Sequence, residues 1–579
     1  MYTVAKNVQI MLALLKQHGI KHVVINPGTT NMPIVHGLQS DPFFTCFSVV
    51  DERSTIYFAI GLYLDLGVPI ATTCTSAQAT RNYIPGLTEA FYKNVPILAI
   101  TTSKHPRYTY QQYMQGPDQT SLPADAVKKS YALPYVSNHH DELYCNRLVN
   151  EAILELTHRI PGPIQLNLPM LDEELGKYTV SNLPVVRVIK RYMQWDQWDV
   201  PLRNKKILIV AGEHRPFTKI QEDALDKFAE THNAVIYVNH LSNYHGKYAV
   251  SANLTLSSML PGLFQTTYKP DILITIGGQT GDYPLFGKLA SAKESDFEHW
   301  RVNEDGMIVD TYDKLTKVFE CPFEHFFSRL SGSGSVHHTY FDLWSDLQAS
   351  MQIPDELPFS NAYLAQQLHD SIPKNSYVNL AILNSLRIWS FFPLDNSITC
   401  YSNVAAFDID GCLSVLLGQS VITDKLCFIV IGDLSFFYDM NGLGIRHLKN
   451  NIRILLVNNN GGTEFKLYSH PAYQFGKESD EFIAAVGHNG SVKGWAEECG
   501  FKYLVARNKK EFLQQKYEFV SDSKQSIVFE VFTTPKDESD ALRIILEKNR
   551  LMSGADKIKS KMRSIIGKKG IEALKNVIK

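Results

Sequence analysis

The chain has 579 residues, with 57 Lys and Arg against 59 Asp and Glu, a formal charge of −2. That balance excludes a nucleic-acid binder working by bulk positive charge. A composition of 44% apolar and 20% charged residues excludes a disordered chain. The length implies roughly three to five domains at about 100–200 residues each.

The first block, residues 1–182, opens with helical spacing at Val4, Val8, Met11, Leu12 and Leu15, and Gly19 ends that helix. The strand HVVINPG follows, then the apolar runs VPIATTCTS (68–76) and VPILAITTS (95–103). Short β-rich runs alternating with helical segments predict a parallel sheet with crossover helices. The stretch LPVVRVIKRYMQWDQWDVPLRNKK mixes prolines with charges and predicts a linker. A smaller α/β block, residues 200–330, holds KKILIVAGE, AVIYVN and DILITIGG, and the SGSGS run at 331–335 closes it as a loop. The third block, 354–548, carries strands in LCFIVIGDLS (426–435), IRILLVNNN (452–460) and SIVFEVFT (526–533). Residues 549–579 form a tail with eight basic and two acidic residues after Ser553. Ile558, Met562, Ile565 and Ile566 there are helically spaced, which predicts a basic terminal helix. A relation by duplication between the first and third blocks does not show in the residues.

The eight cysteines form no CxxC pair, so neither a zinc site nor a disulfide framework is expected. The first residues lack a secretory pattern and no apolar run is long enough to span a membrane, so a cytoplasmic chain is expected.

Residues 431–465, IGDLSFFYDMNGLGIRHLKNNIRILLVNNNGGTEF, concentrate the chemistry. Gly432 and Asp433 end one apolar strand, and Asn458-Asn459-Asn460-Gly461-Gly462 end the next. In a parallel sheet both strands finish at the same ligand-binding edge. An Asp and an Asn delivered there are hard oxygen ligands of the kind Mg²⁺ takes together with phosphate. Glycines let the backbone approach those phosphates. Each piece alone reads more readily as a helix cap or a turn. In combination they closely resemble the diphosphate–magnesium signature of thiamine diphosphate (ThDP) enzymes.

The segment DERSTIYFAIGL, beginning at Asp51, resembles the pyrimidine-binding domain of the same enzymes. NPGTTNMPI (26–34), YSNVAAFDIDGCLSVLLG (401–418), GDLSFFYDMNGL and NNNGG are similar to the menaquinone-pathway branch, which joins a decarboxylated 2-oxoglutarate to isochorismate. The resemblance implies three doubly wound α/β domains: pyrimidine-binding (1–182), central (200–330) and diphosphate-binding (354–548). It implies that Asp433, Asn459 and the Gly461 carbonyl hold Mg²⁺. Gly432, Leu434, Ser435 and Gly462 would complete the cofactor cradle, and Ile409 would wedge the cofactor into a bent form. Glu52 would hydrogen-bond the aminopyrimidine. Gln119, in QGPDQ, would lie near the reacting carbon, and His105 would bind substrate or donate a proton. It also implies a homodimer or homotetramer with sites between subunits, Glu52 coming from one chain and Asp433 from its partner.

The sequence departs from that branch where arginines bind anionic substrates. Thr30 stands for one arginine, Lys104-His105-Pro106 replaces an arginine-bearing turn, Trp389 and Val404 replace two more, and GGQTGDYPL offers none. Arg387 and Arg107 lie close enough in sequence to substitute in part. Each charge-assisted hydrogen bond contributes about 1.5–3 kcal/mol. The expectation is therefore a ThDP- and Mg²⁺-dependent enzyme forming or breaking a C–C bond on a 2-oxo acid, as a decarboxylase or carboligase. Its aldehyde or ketone acceptor would be less anionic than isochorismate, in a pocket drawn from Thr30, Gln78, His105, Gln119, Trp389, Phe407 and Glu464. The alternatives are the menaquinone-pathway reaction itself and a non-catalytic binding subunit. A nicotinamide dehydrogenase is disfavoured because no GxGxxG turn follows a predicted strand. Nothing in the sequence supports a flavin in the central block.

Overall fold

The computed structural model describes residues 1–334 and 336–552. The predicted basic helix of the tail lies outside the described residues beyond residue 552. The chain divides into two compact units, one built from Met1–Tyr192 with Gly306–Val318, the other from Met193–Asp305 and the chain from Phe319 onward.

The first unit holds six strands: β1 (His22–Ile25), β2 (Thr45–Ser48), β3 (Ile70–Cys74), β4 (Ile97–Lys104), β5 (Lys129–Ala132) and β6 (Ile164–Met170). They form one parallel sheet in the order β2-β1-β3-β4-β6-β5. Strand alternation puts Val23, Leu98 and Ile100 into one core and Val24, Ile97 and Ala99 into the other, so both faces are covered. The opening helix, Lys6–Gln17, buries Val8, Met11, Leu12 and Leu15 as its spacing predicts. Gly19 turns out of it at φ +75°.

The stretch predicted as a linker instead contains strand β7 (Lys190–Met193). Val186 and Val188 pack against the first core, Ile189 is fully buried, and Trp198 packs edge-on to Phe319. Its alternating β-branched residues outweigh its prolines and charges.

In the second unit, β8 (Ile207–Ala211), β9 (Ala234–Val238), β10 (Ala249–Ser251), β11 (Ile272–Ile276) and β12 (Glu298–Val302) run in the order β10-β9-β8-β11-β12. The order reverses between β8 and β11, where sheets of this kind take ligands. Here the two loops at that point are joined by main chain. Gly212 N–H donates to the Ile276 carbonyl at 2.9 Å, Glu213 N–H to that of Gln279 at 3.1 Å, and Gly278 N–H to that of Glu213 at 2.9 Å. A Cβ on Gly212 would fall 1.8 Å from the Gly278 oxygen.

After β13 (Leu315–Glu320) comes the last sheet: β14 (Tyr377–Leu380), β15 (Thr399–Tyr401), β16 (Cys427–Gly432), β17 (Ile452–Asn458), β18 (Lys502–Ala506) and β19 (Ile527–Phe532). Its order, β15-β14-β16-β17-β19-β18, repeats strand for strand that of the first sheet, and its pairings are again parallel. Phe428, Val430 and Leu455 face one core, and Ile429, Ile431 and Ile454 the other. The expected architecture of three α/β domains is borne out, and the matching strand orders supply the sign of duplication that the residues lack.

Candidate active site

In the second unit the predicted cofactor residues converge at the carboxyl edge of the last sheet. Asp433 follows β16 and opens the helix Asp433–Asp439. Its carboxylate is 2% exposed. Oδ2 accepts from the backbone N–H of Asn459 and of Gly461, each at 3.1 Å, and lies 3.0 Å from His488 Nε2. Oδ1 accepts from Leu434 N–H at 2.7 Å. Since His488 Nδ1 accepts from Gly490 N–H, its Nε2 carries the proton directed at Asp433. Burial raises the Asp433 pKa, and the His488 and backbone hydrogen bonds pull it partly back.

The loop after β17 is bent to fit. Asn460 and Gly461 have φ of +71° and +144°. A Cβ on Gly461 would meet the Ala485 oxygen at 2.6 Å. Gly462 N–H donates to the Ala484 carbonyl at 2.6 Å, and Gly487 N–H to that of Asn460 at 3.0 Å, so residues 484–487 brace the loop. Ser435 Oγ donates to the Ile409 carbonyl, tying half-buried Ile409 to the helix that Asp433 begins.

The buried Asn459 Oδ1 has no hydrogen-bond partner, and neither have Asn460 Oδ1 and Thr463 Oγ1. A buried acceptor without a donor is costly unless something electropositive reaches it. Together with the buried carboxylate this donor set fits Mg²⁺, and the glycines leave backbone room for a diphosphate.

In the first unit Glu52 begins the helix Glu52–Leu66. Asp51 caps it, accepting from Arg53 N–H at 2.8 Å and Ser54 N–H at 3.3 Å. Buried Asn26, at the end of β1, fixes this corner. Its Nδ2 donates to the Val49 carbonyl and to Thr55 Oγ1, both at 2.7 Å, and its Oδ1 accepts from Tyr83 OH at 2.8 Å. Glu52 itself is half-exposed and lies 3.4 Å from Asn82 Nδ2.

Gln119 is 1% exposed and its amide is fully engaged. Oε1 accepts from Ala77 N–H at 2.8 Å, and Nε2 donates to Thr80 Oγ1 at 2.9 Å and to the Thr102 carbonyl at 2.8 Å. It thereby holds Ala77 at φ +64° in the turn after β3. Thr30 is also buried, its hydroxyl 2.6 Å from that of Thr75 and 2.8 Å from that of Thr102. His105, at the end of β4, is half-exposed. Its Nδ1 accepts from Arg107 N–H at 3.2 Å, and its ring stands edge-on to Tyr135. Gln78 is exposed.

Trp389, one of the residues expected to line the acceptor pocket, instead faces the core. It is 1% exposed, with Nε1 donating to Asn361 Oδ1 at 3.0 Å. The short helix Asn384–Trp389 turns Arg387 the other way, into a two-pronged pair with Glu464 at 2.8 and 2.9 Å. Val404 is fully buried, and Phe407 packs edge-on to Tyr283.

Sequence reasoning missed His488, Asn26 and Tyr83. The VGHNG stretch around His488 was the one available hint, glycines flanking a lone imidazole.

Known proteins share sequence with most of this chain. The family described as thiamine pyrophosphate enzyme, N-terminal TPP binding domain, matches residues 6–122. The 2-succinyl-5-enolpyruvyl-6-hydroxy-3-cyclohexene-1-carboxylate synthase of Bacteroides thetaiotaomicron is 34% identical, over 94% of this chain and 98% of its own. That of Phocaeicola vulgatus is 36% identical, over 94% and 98%. That of Desulfotalea psychrophila is 29% identical, over 90% and 96%. With the metal-type edge of one sheet and the glutamate-led helix of the other in place, the chain belongs to the thiamine diphosphate-dependent enzymes, in the branch of these carboxylate synthases.

Proposed function

We propose that the chain is a ThDP- and Mg²⁺-dependent carboligase that decarboxylates a 2-oxo acid and transfers the remainder to an acceptor. The observation that carries this is buried Asp433 beside the unpartnered Asn459 oxygen. The identity of 34–36% over 94% of the chain favours the synthase reaction named for the relatives, which on the resemblance seen in the sequence would take 2-oxoglutarate as donor and isochorismate as acceptor. That was the alternative in the sequence reading, and it now ranks first.

Asp433, Asn459 and the Gly461 carbonyl would hold Mg²⁺, while Leu434 and Gly462 lie beside them. Bound ThDP supplies the electron sink for the carbanion left by loss of CO₂. Glu52 holds and returns the proton at the aminopyrimidine nitrogen. Gln119 acts as a positioning residue, fixing the turn at Ala77, and His105, just after β4, would bind substrate or donate a proton. The helix bearing Glu52 exposes Tyr57, Phe58, Leu64 and Leu66. Tyr57, Phe58 and Leu64 share one side of that helix, an exposed apolar surface that suits a second copy of the chain, with Glu52 and Asp433 meeting across the interface.

A second reading, a less anionic acceptor, is favoured by one feature: Arg387 already spends its charge on Glu464.

The test is CO₂ release from a panel of 2-oxo acids with ThDP and Mg²⁺, in the presence and absence of isochorismate, with products identified by mass spectrometry. Isochorismate-dependent turnover of 2-oxoglutarate establishes the first reading. Turnover only with uncharged aldehydes or ketones establishes the second. No release from any acid, with ThDP bound, overturns both.

A further inference from the structure

We propose that the second unit carries a separate binding groove for a small anion attached to a flat ring, of nucleotide size. The groove lies at the amino edge of the last sheet. It is lined by the approach to β17 (Asn450) and the approach to β19 (Lys524, Gln525 and Ser526). Since these strands are parallel, it sits at the opposite edge from Asp433 and Asn459 and belongs to neither half of the candidate active site.

Its volume is about 660 Å³, within the range of sites for drug-sized ligands. One wall is Trp495. The indole is not a loose surface ring, because its Nε1 donates to the Met440 carbonyl at 2.6 Å. That fixes one ring edge while the side chain stays 37% exposed. Leu443, Leu448 and Phe501 supply an apolar floor.

The rim carries Arg446, Lys449 and Lys524 against a single carboxylate, Glu498. Lys449 is engaged by Asp424 at 3.1 Å. Arg446 and Lys524 are exposed, and neither forms a salt bridge with a carboxylate among the described residues. A guanidinium and an ammonium left uncompensated beside a fixed indole are complementary to a phosphate or carboxylate joined to an aromatic ring.

The probe is adenosine monophosphate, titrated calorimetrically into the full chain preloaded with ThDP and Mg²⁺, which keeps it out of the diphosphate site. Adenosine and inorganic phosphate are titrated separately. The expected result is saturable binding of the nucleotide, with each fragment at least about tenfold weaker. The double variant Arg446→Ser/Lys524→Ser should bind the nucleotide at least about tenfold more weakly and retain ThDP unchanged. Trp495→Leu should weaken the nucleotide and adenosine but not phosphate. No binding at about 1 mM nucleotide, or equal binding by the double variant, overturns the proposal. The double variant changes only exposed side chains, so it keeps the test decisive if Trp495→Leu misfolds.

Discussion

The first and last sheets share one strand order, yet their carboxyl edges are finished in opposite chemistry. After the third and fourth strands the last sheet places Asp433 and Asn459, a buried charge and an acceptor without a donor. The equivalent corners of the first sheet end in Thr75 and His105, and the space between is filled by the Thr30, Thr75 and Thr102 hydroxyls and the Gln119 amide. One edge is electrostatically incomplete, while the other is nearly self-satisfied and offers its carboxylate, Glu52, from the helix that follows edge strand β2. In the proposed function the same backbone would serve once as a cation site and once as a proton-positioning site. Fold alone settles neither role.

If that division holds, damage to the two halves should separate by kinetic signature. The largest effect is expected from Glu52→Gln. It should lower kcat by about 10²–10⁴-fold, the span of a lost acid–base group, while ThDP binding stays within a few-fold. Equal loss of cofactor would dissolve the distinction.

The next test uses acidity. Glu538, buried near the incomplete edge, accepts from Thr533 Oγ1 at 2.7 Å and from Asn361 N–H at 2.9 and 3.0 Å. Burial pushes its pKa up to about 7 from 4.5, against the pull of those hydrogen bonds, and the Asp537 and then the Asp433 charge add to the rise. A carboxyl whose pKa is raised by folding binds its proton more tightly in the native state. Below pH 4.5 both states are protonated and the shift has no effect. As pH climbs from 4.5 to 7 stability falls, by on the order of 3 kcal/mol once the window is crossed. Urea melts at pH 5 and pH 8 should therefore show Glu538→Gln losing less stability than the native chain over that interval. Parallel curves would place the proton elsewhere.

Asp433→Asn should weaken Mg²⁺-dependent retention of ThDP by about 10–100-fold, with excess Mg²⁺ and ThDP restoring part of the rate. Dialysis followed by oxidation of the retained ThDP to fluorescent thiochrome diphosphate reads this, and retention at native affinity would remove Asp433 from the metal.

The smallest effect is expected from Thr30→Val. It should cost about 1–2 kcal/mol in thermal melts, because Ser76 N–H and two neighbouring hydroxyls lose a buried partner. If KM for the acceptor rises instead with stability unchanged, the first edge is a substrate surface and not a self-satisfied one.

The legibility of these halves was unequal for a physical reason. Asp433 and the Asn459 turn could be read because each sits at the end of an apolar run, so a local pattern fixes both residue and edge. His488 and Tyr83 could not, since they reach Asp433 and Asn26 across 55 and 57 residues, a distance no spacing rule covers. Trp389 and Arg387 show the limit at shorter range. Two positions apart on one short helical turn they point to different surroundings, and packing decided which met the core. The stretch at 183–206 failed differently: its alternation of valines was present, but prolines and charges drew the reading toward solvent.

The seam between Gly212 and Gly278 has a practical consequence for anyone wishing to give this enzyme redox chemistry. Three backbone hydrogen bonds and two touching glycines join the two loops between which a dinucleotide would have to pass. Exchanging side chains around it would leave the obstruction untouched, because the obstruction is made of main chain. Grafting a nucleotide cofactor onto the central domain would require replacing both loops together.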